Sequence, residues 1–166
     1  MSEFAPAGSW QTPLDVAHAH LGVHETPGLP NRSPMVDVWL RFVNLEPDDG
    51  PPEGYAWCAA FASWCCAKGG RPVAKSASVR KLLMRNGDLE VSADAAMPGD
   101  VMISLMANGK GHCGFFLKRE NGRIYTLDGN TNETGSREGN AVAIRDRPVD
   151  YWDRAIRPRV VSERTP

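Results

Sequence analysis

Apolar positions along this chain change period partway through. Leu14, Ala17 and Leu21, with His18 on the same spacing, recur at helical intervals behind Thr12-Pro13. Thr is a good N-cap, and Pro suits the first helical position. This first helix stops near Gly22, and Glu25-Thr26-Pro27-Gly28-Leu29-Pro30 reads as a loop. Ser33-Pro34 repeats the start signal, and Val36, Trp39, Leu40 and Val43 mark the inner face of a second helix. Residues 46–54, rich in Pro, Gly and acid, form a long loop. From Trp57 to Lys68 nearly every position is apolar, which predicts a buried helix ended by Gly69-Gly70. A shorter helix over Ser78 to Arg85 ends at Asn86-Gly87.

Alternation then replaces helical spacing. Asp100 to Met106, His112 to Arg119, Arg123 to Leu127 and Ala141 to Arg147 read as strands. Turn clusters at Asn108-Gly109, Asn121-Gly122 and Thr134-Gly135-Ser136 separate them. Helices first and strands after predict an α+β fold, with N-terminal helices packed on a C-terminal antiparallel sheet. The chain is expected to form one domain over 1–166, with its core at about 12–159 and loose ends.

At 166 residues and 42% apolar content, one core of ordinary size is available. A net charge of −1 gives no overall field toward nucleic acid or an anionic membrane, so neither partner is expected. No segment is long enough for a membrane span. Met1 to Gln11 has no basic stretch followed by an apolar run, so synthesis in the cytoplasm without a signal peptide is expected. Glu46, Asp48, Asp49 and Glu53 make one loop acidic. Arg145, Arg147, Arg154, Arg157, Arg159 and Arg164 make the C-terminal end basic. Both groups read as solvated surface, with contact to an anionic substrate or partner as the alternative for the arginines. The cysteines at 58, 65, 66 and 113 do not form a disulfide framework. They also lack the C-x-x-C spacing of a zinc site, so no metal is expected.

Cys58 stands one residue into the buried helix. Unpaired N–H groups and the helix dipole favour a thiolate there, and its own N–H is free to donate to an oxyanion. Cys65, two turns deeper, has no such help. Cys65 and Cys66 read as small apolar residues. His112 opens a strand and shares one face with Gly114 and Phe116, while Cys113 and Phe115 take the other. His18, His20 and His24 read as surface or packing residues.

The next strand ends in Asp128-Gly129-Asn130. A three-residue hairpin loop over Glu120-Asn121-Gly122 pairs Arg119 with Arg123 and sets His112 opposite Asn130, with Asp128 diagonal on the same face. A two-residue Asn-Gly turn moves both polar residues to the other face. The first register is preferred because it gathers the polar groups. Thiol, imidazole and an orienting carboxylate or amide are the parts of a cysteine acyl-transfer site. Asp128 can orient and stabilise an imidazolium; Asn130 can only orient.

Four segments carry a family resemblance: Trp57-Cys58-Ala59-Ala60-Phe61-Ala62-Ser63-Trp64-Cys65, Met97-Pro98-Gly99-Asp100-Val101, Gly111-His112-Cys113-Gly114-Phe115-Phe116 and Leu127-Asp128-Gly129-Asn130. In order and spacing they resemble the CHAP superfamily of cysteine- and histidine-dependent amidohydrolases and peptidases, relatives of papain-like and NlpC-type hydrolases. Residues 21–28 also resemble the opening of phage-associated members. The resemblance implies a papain-like fold, a nucleophile at Cys58, a base at His112 and a partner at Asp128, where Glu is frequent, followed by Asn130. Asp is shorter than Glu, so part of the orienting role falls to Asn130. Cys113 stands where an apolar, often β-branched, residue is usual.

The resemblance further implies a peptidoglycan hydrolase that cuts an amide bond, either the N-acetylmuramoyl-L-alanine amide or one in the peptide stem. Tyr55 or Trp57, with Tyr55 preferred, is expected to supply the second oxyanion donor, and Glu25 to line the groove. No cofactor is expected, since the acidic loop lacks the alternating ligands of calcium-binding relatives. The expected setting is a phage endolysin released by a holin, or an antibacterial effector injected by a secretion apparatus and held off by an immunity protein, with a tail-associated lysin as a third setting. Each acts on the cell wall, as a monomer. Two alternatives differ in class: an inactive binding or immunity-type module on the same fold, and a thiol amidase or acyltransferase acting on protein.

Overall fold

The computed structural model describes residues 10–131 and 139–161. Among the described residues four α-helices precede a six-stranded antiparallel sheet, an α+β arrangement. The expected turn at Thr134-Gly135-Ser136 and the ends before Trp10 and after Val161 lie outside the described residues.

Each helix begins where its cap is. Helix α1 (Pro13–Ala19) carries a full capping box between Thr12 and Asp15. Helix α2 (Pro34–Phe42) is capped by the Ser33 side chain on the Val36 N–H. Helix α4 (Val79–Arg85) is capped by Ser78. Helix α3 (Cys58–Lys68) differs, because its N-cap residue is Trp57 and no side chain caps its first turn. Residues 58–66 of α3 are all buried, as an all-round apolar helix requires.

Strands β1 (Glu90–Ser92), β2 (Val101–Leu105), β3 (Gly111–Glu120), β4 (Arg123–Thr131), β5 (Ala141–Pro148) and β6 (Arg154–Ile156) lie in the order β1-β6-β2-β3-β4-β5. The two three-residue strands were not expected from the sequence. Three residues show no measurable alternation, and β6 is fixed by distant partners on either side. Residues 22–25 also pair with the outer edge of β5, through Val142 N–H to the Val23 carbonyl and Glu25 N–H to the Asn140 carbonyl.

The sheet has two covered faces. On the first, Phe115, Cys113 and Leu127 pack under α3 and the Trp39–Trp57–Phe61 ring cluster. On the second, Met102, Phe116, Ile124 and Ala155 pack with Trp152.

The β3–β4 hairpin corrects the expected turn. It is a two-residue turn, with Asn121 at φ 52° and Gly122 at φ 74°, and Glu120 pairs with Arg123. Continued unbroken, that register carries the polar residues to opposite faces. A bulge between Phe116 and Lys118 removes the offset, so Phe116 pairs with Thr126 and Phe115 with Leu127. Beyond the bulge the ladder has the register that gathers His112 and Asp128 on the second face.

Candidate active site

Cys58 is placed by the start of α3, and α3 is placed by β4. A Cβ on Gly129 would lie 2.8 Å from the Phe61 ring and 2.9 Å from the Trp57 ring. Glycine there lets the head of α3 sit directly on the strand that carries Asp128. Gly114 does the same on the other face, where a Cβ would overlap the Asp128 carboxylate.

His112 and Asp128 are fully buried, and Nε2 of His112 lies 2.9 Å from Oδ2 of Asp128. With Nε2 engaged, Nδ1 is the ring nitrogen left for a thiol; it is buried and makes no hydrogen bond of its own, and Cys58 lies near enough to act on the charge of the ring. Burial alone would push the imidazole pKa down. The charge and hydrogen bond of Asp128, with the charge of Cys58, overcome it and hold the ring at about 9. Burial likewise opposes ionisation of Asp128, yet His112 and Arg147 hold that carboxyl below its ordinary value.

The other cysteines are separated from Cys58 by their surroundings. Burial drives the Cys65 thiol well up. Cys113 is also driven well up, first by its hydrogen bond with Cys58 and then by burial. It is the core residue its strand position predicts, and it touches Cys58 from the first face while His112 reaches Cys58 from the second.

Asn130 does not hold His112. It is buried at φ 56°, and neither amide atom has a hydrogen-bond partner. Of the two expected partners, Asp128 is the one that hydrogen-bonds with His112. Glu25 accepts a hydrogen bond of 3.0 Å from the Trp57 indole, one residue from Cys58. It also lines a groove of about 420 Å³ with His24, residues 26–30 and Asn140. Tyr55 is half-buried and packs against Gly50. The Trp57 indole N–H is spent on Glu25, so that group is not the second oxyanion donor.

Sequence reasoning missed Arg147. Taken as solvated surface, it is 6% exposed, and its Nη1 lies 2.6 Å from Oδ2 of Asp128. Its guanidinium carbon sits 5.1 Å from the Tyr151 ring and 5.6 Å from the Trp152 ring. Trp152 in turn packs on His112, with ring centroids 6.2 Å apart. One signal was available: a carboxylate buried in a sheet needs a counter-charge, and Arg145 and Arg147 share one face of β5. In the acidic loop, Glu46 and Asp48 are ion-paired with Arg41 and Arg32. Among the described residues no group of three or more His, Cys, Asp or Glu is placed to hold a metal ion. No helix among them is long and apolar enough to cross a membrane.

A cysteine at an uncapped helix start, near an imidazole held by a buried carboxylate, brings together the groups that thiol acyl transfer uses. Residues 50–130 match the family model of the CHAP domain. That segment contains Cys58, His112, Asp128 and Asn130. Among solved structures, the chain is similar to one titled "Crystal structure of a wild type endolysin LysIME-EF1", at 20% identity and a TM-score of 0.48. The similarity covers 75% of this chain and 64% of that one, so this chain spans less than two thirds of its length. No curated protein matches.

Proposed function

We propose that the protein is a peptidoglycan hydrolase that cleaves an amide bond through Cys58, His112 and Asp128. The observation that carries this reading is the convergence of Cys58 on an imidazole whose far nitrogen is held 2.9 Å from a fully buried carboxylate. The CHAP-domain match supports the substrate class. The Cys58 thiolate attacks the amide carbonyl, and the Cys58 N–H at the uncapped helix start receives the developing oxyanion. The protonated His112 gives its proton to the leaving amine as the C–N bond breaks. His112 then takes a proton from water, the hydroxide attacks the thioester, and a carboxylate leaves as the thiolate re-forms. Asp128 orients the ring and stabilises its charged form. The groove beside Glu25 is one end of the path for the substrate, and the chain acts on the wall after release or injection.

Incubation with purified muropeptides, read by mass spectrometry, tests the reaction and identifies the bond. Cleavage at the muramoyl–alanine amide or within the stem is expected. Cys58→Ala and His112→Ala should each lower the rate by several orders of magnitude. Variants that digest muropeptides like the parent overturn the mechanism. Intact muropeptides with cleaved protein amides would identify a thiol amidase acting on protein instead.

A further inference from the structure

The Cys58–His112–Asp128 set has an unbalanced charge in its reactive form. Thiolate, imidazolium and carboxylate together carry one excess negative charge, and Cys58, His112 and Asp128 are 3%, 0% and 0% exposed. Burial of a net charge is costly, and the least costly escape is to protonate one of the anions. Arg147 supplies the missing positive charge at 2.6 Å from the oxygen of Asp128 that also accepts from His112. Two anions and two cations then share one enclosed cluster.

We propose that Arg147 is the positioning and charge-balancing residue of this site: it locks Asp128 onto His112 and, by offsetting the carboxylate charge, keeps the Cys58 thiolate beside the His112 imidazolium from taking up a proton from solvent to become a neutral thiol. This inference rests on the reading of Cys58 as nucleophile. The guanidinium is itself held in place, because Tyr151 and Trp152 both lie against it and Trp152 packs on the His112 ring. The titratable and charged neighbours of the cluster are few. His112 meets Asp128 from β4 and Cys58 from α3. Cys58 meets Cys113 from β3, a neutral donor. Tyr151, from the segment before β6, stays protonated chiefly because burial raises it, and it hydrogen-bonds Ser104 of β2. Among these groups Arg147 is the fixed cation, since His112 exchanges its proton during the reaction.

Alkylation of Cys58 by iodoacetamide across pH, followed peptide by peptide, reads the thiolate directly. In Arg147→Gln the acid limb of the Cys58 profile should move up by on the order of one pH unit or more. Arg147→Lys retains the charge and should move it less. In an Asp128→Asn background, Arg147→Gln should add little, because the carboxylate it balances is gone. An unchanged acid limb in Arg147→Gln with a normal melting transition overturns the proposal. Should Arg147→Gln fail to fold, the double variant carries the test. It removes both partners together, should fold, and should follow the Asp128→Asn profile; a further upward shift overturns the proposal. If wild-type Cys58 reacts no faster than Cys65, the nucleophile reading falls, and this inference with it. A wild-type Cys58 that reacts rapidly but ignores Arg147 sinks the inference alone.

Discussion

Cys58, Cys65, Cys66 and Cys113 are four buried thiols, and what separates them is the company each keeps. Cys65 has burial and a second cysteine; Cys113 has burial and a hydrogen bond to Cys58. Cys58 lies near the His112 imidazole. Its position at a helix start was legible in the sequence because a helix start is a local feature. Arg147 was not legible, since its partner lies on a neighbouring strand and arginine is usually solvated. The pairing of His112 with Asp128 has a definite pH window. The folded imidazole value of about 9 is above its ordinary value of about 6.5. Its contribution to stability is therefore complete below about 6.5 and is lost as pH rises through about 9. Asp128 is shifted the other way, so its contribution is present above the unfolded carboxyl value of about 3.9 and is lost as pH falls through its lower folded value. Activity should share the upper limit, because above about 9 the ring lacks the proton that the leaving amine needs. In Asp128→Asn the alkaline limb of kcat should move down toward the ordinary imidazole value. A limb that stays at the wild-type pH would show that Asp128 does not set it.

At the scale of elements, the helices were readable because their caps are local: Thr12, Ser33 and Ser78 each hold a backbone N–H of the first turn. The hairpin was harder. Its turn follows the local preference of Asn121-Gly122, and its site end follows the need to bury His112, Asp128 and the core residues on the correct faces. The bulge between Phe116 and Lys118 reconciles the two, and no turn rule contains it. Glycines then set how closely the elements meet. Gly129→Val would press side-chain atoms too close to the Phe61 and Trp57 rings and push the head of α3 off β4. Overpacking of this kind costs about 1–3 kcal/mol, and the displaced Cys58 should cost activity beyond what the melting temperature explains. Ser33→Ala is the comparison. Loss of the α2 cap should cost about 1 kcal/mol with kcat unchanged. Equal stability loss with equal activity in the two variants would detach α3 placement from catalysis.

At the scale of the whole molecule, the family-matched segment 50–130 holds Cys58, His112 and Asp128, yet it does not close the cluster around them. Glu25 reaches Trp57 from before it, and Arg147 and Trp152 reach Asp128 and His112 from after it. The last part of the chain is also woven into the sheet. Strand β6 lies between β1 and β2, so β1 joins the sheet only through β6, and Ala155 and Ile156 belong to the two cores. The sequence hid this, because strands of three residues have no period to read. A chain ended after Pro148 keeps every predicted catalytic residue but loses Trp152, its packing on His112, and the strand that ties β1 to β2. It should show no cooperative melting transition and no muropeptide cleavage, while a chain of residues 10–161 should retain both. Cooperative melting with cleavage by the shorter chain would show that the C-terminal strand and Trp152 serve neither fold nor site.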